Sequence, residues 1–182
     1  TIGRRAAALG RARGRLGRRV LGAIVLVGVV GPIAWSLTDA PIHLGHDRRE
    51  TFTVGATRFE LALWGPRHAG AFTVAQLVAD LGAIAADHAR RITGDPTAFP
   101  FARYTFLLML AADGYGGLEH AAGSANLYHP AAFTTRKHYE GLLELLSHEL
   151  FHAWNGKRIA PAALLDVDYQ REAYTRCLWV ME

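Results

Sequence analysis

The stretch Ser147-His148-Glu149-Leu150-Phe151-His152-Ala153-Trp154-Asn155-Gly156-Lys157-Arg158-Ile159 decides how the rest of this chain is read. It closes a run from Thr135 to Trp154 in which Tyr139, Leu142, Leu143, Leu146, Leu150 and Trp154 recur at helical spacing, and Gly156 and Pro161 end it. On a helix, residues four apart lie one turn above each other on the same face. The His148 and His152 imidazoles can therefore reach one metal ion while Glu149 points beside them. Two neutral nitrogen ligands, with one carboxylate positioned to take a proton from a metal-bound water, are parts of a hydrolytic zinc centre. Composition alone gives about 0.02 chance occurrences of this spacing in 182 residues.

Such a centre needs a third protein ligand and an open fourth position. A glycine three residues past His152 with a histidine three further on would supply one arrangement, but those positions hold Asn155 and Arg158. The remaining option is a downstream glutamate. Glu172 and Glu182 lie 20 and 30 residues beyond His152, and spacing alone slightly favours the nearer. Cys177 is the single cysteine, which excludes a disulfide framework and a thiolate cluster.

Upstream, the pattern predicts an α+β domain. Thr51–Val54 and Arg58–Trp64 read as strands joined around Gly55. Phe72–Ile92 reads as a helix with Thr73 as N-cap and Val74, Leu77, Val78, Leu81, Ile84 and Ala85 on its apolar face, stopped by Gly94-Asp95-Pro96. Tyr104–Leu110 reads as a buried strand, the Gly114–Gly117 turn leads into one short extended segment through Tyr128, and a last helical segment starts near Tyr169. His43, His46, His68 and His88 read as surface residues, whereas His120 and His129 are candidates to line a cleft. Lys157 and Arg158 sit where cations complement the C-terminal dipole of the histidine-bearing helix.

Charge splits the chain. The net +4 arises because residues 1–38 hold seven arginines and no acid, while the remainder carries 13 basic residues against all 16 acids, a net −3. Residues 1–19 read as a solvated basic arm. Residues 20–37 are uncharged, the pattern of a membrane anchor or signal with the arginines inside. The chain is expected to be membrane-anchored or exported if residues 1–37 are native, and soluble otherwise. Residues 38–182 form the catalytic domain in this reading. With 51% hydrophobic residues there is enough material for a core. No phosphate loop or aromatic nucleic-acid platform is present, so no nucleic-acid partner is expected.

The run from Ser147 to Ile159, followed by Pro161, Asp168-Tyr169, Glu172, Tyr174-Thr175 and Leu178-Trp179-Val180-Met181-Glu182, resembles the catalytic core of the glycyl aminopeptidase family. These are zinc metallopeptidases of the thermolysin-like group, and the resemblance runs from about Leu37 to Glu182. It implies a thermolysin-like α+β catalytic domain, present in part, with a helical remainder and a PDZ domain beyond Glu182. It also implies that Glu182, the last residue of a Leu-Trp-Val-x-Glu motif, is the third zinc ligand, and that Glu172 supports the ligands from behind. Tyr174 either backs the site or donates to the oxyanion, core packing being the competing reading.

Tyr115-Gly116-Gly117-Leu118-Glu119-His120 also resembles the family and is similar to the Gly-x-Met-Glu-Asn strand of alanyl aminopeptidases. The resemblance implies that Glu119 grips a substrate's free ammonium while the backbone of Gly116 and Gly117 lies alongside the substrate. A carboxylate beside a glycine-rich strand near a zinc site can pair with an α-ammonium and count one residue to the scissile carbonyl. A surface glutamate after a turn is the competing reading. Ala160 stands where the family usually has Arg, and Ala121-Ala122-Gly123 replace its Arg/Asn-rich residues. The expected function is zinc-dependent removal of N-terminal Gly or Ala from peptides with a free amino terminus, Glu149 acting as general base. The alternative is an inactive fragment or a non-catalytic, membrane-associated member of the fold.

Overall fold

The structure, a computed structural model, describes residues 41, 43–165, 170, 172 and 174–182. All of them belong to the unit Asp39–Glu182. The basic arm and the apolar segment of residues 20–37 lie outside the described residues, among which no helix is long and apolar enough to cross a membrane.

Strands β1 (Arg48–Val54) and β2 (Thr57–Trp64) form an antiparallel hairpin that turns at Gly55. Helix α1 (Val74–Thr93) then crosses to β3 (Arg103–Leu110), which pairs parallel with β2. Thr73 caps α1 by accepting from the Gln76 N–H at 3.1 Å, and Gly94 ends it in the left-handed region. The single extended segment expected after Gly117 is instead a hairpin of β4 (Gly116–His120) and β5 (Gly123–Tyr128). Its turn falls at Ala121-Ala122, which carry no Gly or Pro signal of their own. The sheet order is β1-β2-β3-β5-β4, leaving β4 on an edge.

Helix α2 spans Arg136–Phe151, with the Thr135 hydroxyl accepting from the His138 N–H. It stops three residues earlier than the apolar spacing suggests. Trp154 is buried beyond its end, in a turn. Leu145, rather than Leu143, joins its fully buried face. A short helix α3 covers Leu178–Met181; the described residues from Glu172 to Cys177 are not helical, so the helix expected from Tyr169 is confined to one turn.

The core follows strand parity. Phe59, Leu61 and Leu63 of β2 sit opposite Tyr104, Phe106 and Leu108 of β3 on the face covered by α1 and α2. The Phe59 ring touches those of Phe52, Phe99, Phe101, Tyr104 and Phe106. Leu77, Leu81 and Ala85 of α1 and Leu142, Leu146 and Leu150 of α2 close over this row. Along the same face β5 contributes Ser124 and Asn126, and β4 contributes Glu119 and Gly117. The sheet therefore changes from aromatic to polar as it approaches its β4 edge, and the end of α2 lies over the polar part.

Candidate active site

A cleft of about 330 Å³ opens where β4 faces the last turns of α2, lined by Tyr115, Gly116, Gly117, Glu119, Glu144, Leu145, His148, Glu149, His152 and Glu182. The helical spacing of the two histidines puts their Nε2 atoms 2.9 Å apart. A carboxylate oxygen of Glu182 lies 3.3 Å from His148 Nε2 and 3.8 Å from His152 Nε2. Ligands bonded to zinc at about 2.0–2.1 Å in tetrahedral geometry stand roughly 3.3 Å apart, so the three spacings bracket what a zinc ion requires. His152 Nδ1 lies 2.9 Å from the Asn155 carbonyl. A carbonyl can only accept, so Nδ1 carries the proton and Nε2 presents its lone pair to the cleft.

Asn155 also reaches the other way. Its side-chain amide donates to the carbonyls of Val180 at 2.9 Å and Met181 at 3.2 Å. One residue thus orients a histidine through its backbone and holds the strand-distant end that carries Glu182 through its side chain. Gly156, at φ 119°, makes the return possible: its N–H bonds to the Ile159 carbonyl in a left-handed conformation that other residues adopt at a cost. The sequence signal for Asn155 was its place three residues past His152, but nothing local says that its side chain meets residues 25 positions away.

Glu149 is 4% exposed. Burial, reinforced by Glu119 and Glu182 and opposed by His152, pushes its carboxyl up to about 7. Among the described residues, its Oε2 has no hydrogen-bond partner. A buried acceptor left open toward a cleft suits a group that meets its partner only when water or substrate enters. Gly117 explains how it fits: a Cβ there would fall on the Glu149 carboxylate, so only glycine lets the edge strand pass so close. Beneath, the Tyr104 hydroxyl donates to the Glu149 carbonyl at 3.1 Å, fixing the end of α2 to the sheet.

The other expected residues divide. Glu119 lines the cleft, and its Oε1 lies 3.7 Å from Lys157 Nζ. Lys157 therefore faces a carboxylate in addition to following the helix end. Arg158 has a structural place, donating to the carbonyls of Ala121, Ala153 and Pro100. Glu172 and Tyr174 are exposed, bond to each other and do not line the cleft; Tyr174 is not a core residue. His129 caps the turn Pro130–Phe133 instead of lining the cleft, accepting from the Ala131 N–H, and His120 is likewise absent from the lining. His68 is exposed, as expected; His88 is not a surface residue, because it bonds Ser147 Oγ at 2.9 Å between α1 and α2. Tyr115, the first residue of the family-like run through His120, lines the cleft as well, and so does Glu144, which no motif had singled out.

Residues 141–182 match the family model of M61 glycyl aminopeptidases. Among solved structures, the chain is similar to an aminopeptidase N family protein from Idiomarina loihiensis, with 31% identity and a TM-score of 0.66 over 76% of this chain. The chain spans 23% of that protein's length. No curated protein matches. The mixed sheet with its histidine-bearing helix is therefore a domain of aminopeptidase-like fold. More narrowly, the part of the chain that carries the two histidines and Glu182 is similar to the M61 glycyl aminopeptidases.

Proposed function

We propose that this chain carries the catalytic centre of a zinc-dependent aminopeptidase that releases N-terminal Gly or Ala from peptides. The observation that carries the reading is the convergence of His148, His152 and Glu182 ligand atoms, all within 4.8 Å of one another, beside Glu149, whose Oε2 has no hydrogen-bond partner among the described residues. His148, His152 and Glu182 hold the metal, which when bound supplies Lewis-acid polarisation of the peptide carbonyl and lowers the pKa of water. Glu149 takes the proton of the attacking water and returns it to the leaving amine. The outer edge of β4, unpaired within the sheet, offers Gly116 and Gly117 backbone groups to an extended peptide, as edge strands do elsewhere. Glu119 receives the α-ammonium. The acidic lining of the cleft supports a cationic substrate terminus.

The test is Glu149→Gln in the full-length protein, with hydrolysis of glycyl and alanyl amides and metal content measured together. Activity falls at least about a hundredfold while stoichiometric zinc is retained. Unchanged turnover with zinc bound would remove Glu149 from the proton-transfer role.

A further inference from the structure

The residues that follow α2 use their two cations differently. Arg158 is fixed, its guanidinium donating to three backbone carbonyls on three separate segments. Lys157 bonds through its N–H to the His152 carbonyl at 3.2 Å, and its side chain extends to Glu119. Its side chain is 24% exposed and that of Glu119 is 31% exposed, so water reaches both groups. A lysine ammonium is a compact charge on a flexible stem, without the planar fork that locks an arginine onto a carboxylate. The ammonium of an amino terminus has the same charge and the same three donors.

We infer that Lys157 is a specificity-determining residue, its ammonium standing on Glu119 in the place that a substrate's α-ammonium takes. This rests on the reading of Glu119 as the amine anchor. Two ammonium groups on one carboxylate repel, so binding of a free amino terminus exchanges one cation for another, and Lys157 swings off as the substrate arrives. The anchor is thereby neutral while the cleft is empty. A blocked amino terminus displaces nothing, so Lys157 narrows the margin by which free termini are preferred over blocked ones. A partly exposed ion pair of this kind has a modest strength, which sets the exchange cost at a few-fold in affinity.

Glycinamide and N-acetylglycinamide, titrated against the zinc-supplied full chain, test this directly. Lys157→Met is expected to bind glycinamide about two- to fivefold tighter, with N-acetylglycinamide unchanged. Lys157→Gln repeats the measurement in case the methionine repacks. In a Glu119→Gln background neither substitution has any effect, because the exchange has lost its carboxylate. Glycinamide binding that is unchanged or weaker in both Lys157 variants, with the wild type still favouring the free amine, overturns the inference and leaves the anchor standing. A gain that persists without Glu119 overturns it too. If neither the wild type nor the variants favour the free amine, the anchor and the exchange fall together.

Discussion

Gly117 is the residue on which the geometry of the cleft turns, because it is a hydrogen atom where any other residue has a Cβ. The strand pairing sets it opposite Asn126 on the helix-facing side, and the Glu149 carboxylate lies over it. Gly117→Ala is expected to displace Glu149 by about an ångström and to lower kcat roughly a hundredfold, with metal content near normal because the nearest atoms that the added Cβ meets belong to Glu149 and not to His148, His152 or Glu182. Parallel kinetics and metal analysis check this. The glycine was visible in the sequence as part of a turn and a substrate-flanking strand. Its contact with Glu149, 32 positions away, was not, since no local pattern reports which side chain descends on a strand from a helix above it.

At the scale of elements, two contacts join pieces that the sequence presents separately. The Asn155 clasp binds the turn after α2 to α3. Asn155→Ala frees the end bearing Glu182 and is expected to weaken zinc affinity about ten- to a hundredfold, read by chelator competition. His88 joins α1 to α2 through Ser147, and its burial holds its pKa below the ordinary 6.5. The unfolded chain therefore binds this proton at a higher pH than the folded one. The stability this contributes is present above about pH 6.5 and is lost as the pH falls below it. Urea denaturation at pH 8 and pH 5 is expected to show a loss that His88→Gln reduces. Helix α1, with its Thr73 cap and Gly94 stop, was legible almost to the residue because capping is local chemistry. The β4–β5 hairpin was not, because the Ala121-Ala122 turn lacks the residues that mark turns. The early end of α2 was also hidden, since Trp154 keeps the apolar spacing after leaving the helix.

For the whole molecule, the sheet face that binds the helices also aims the site. Phe59 is fully buried at the centre of an aromatic group drawn from β1, β2, β3 and the loop before β3. Phe59→Ala is expected to cost about 3–5 kcal/mol, a large part of a domain's total stability, measured by chemical denaturation. By itself the sequence determined the helix that carries His148, Glu149 and His152, the shared face of the two histidines and the alternation of the buried strands, because helical and strand periods are properties of consecutive residues. Resemblance, not spacing, favoured Glu182 over Glu172. Tertiary structure alone decided that Glu182 meets both imidazoles while Glu172 turns outward to Tyr174, and that Lys157 stands on Glu119. Those meetings join residues far apart in the chain, and they depend on strand register, the Gly156 turn and the reach of Asn155, whose combined effect is written in no single stretch of sequence.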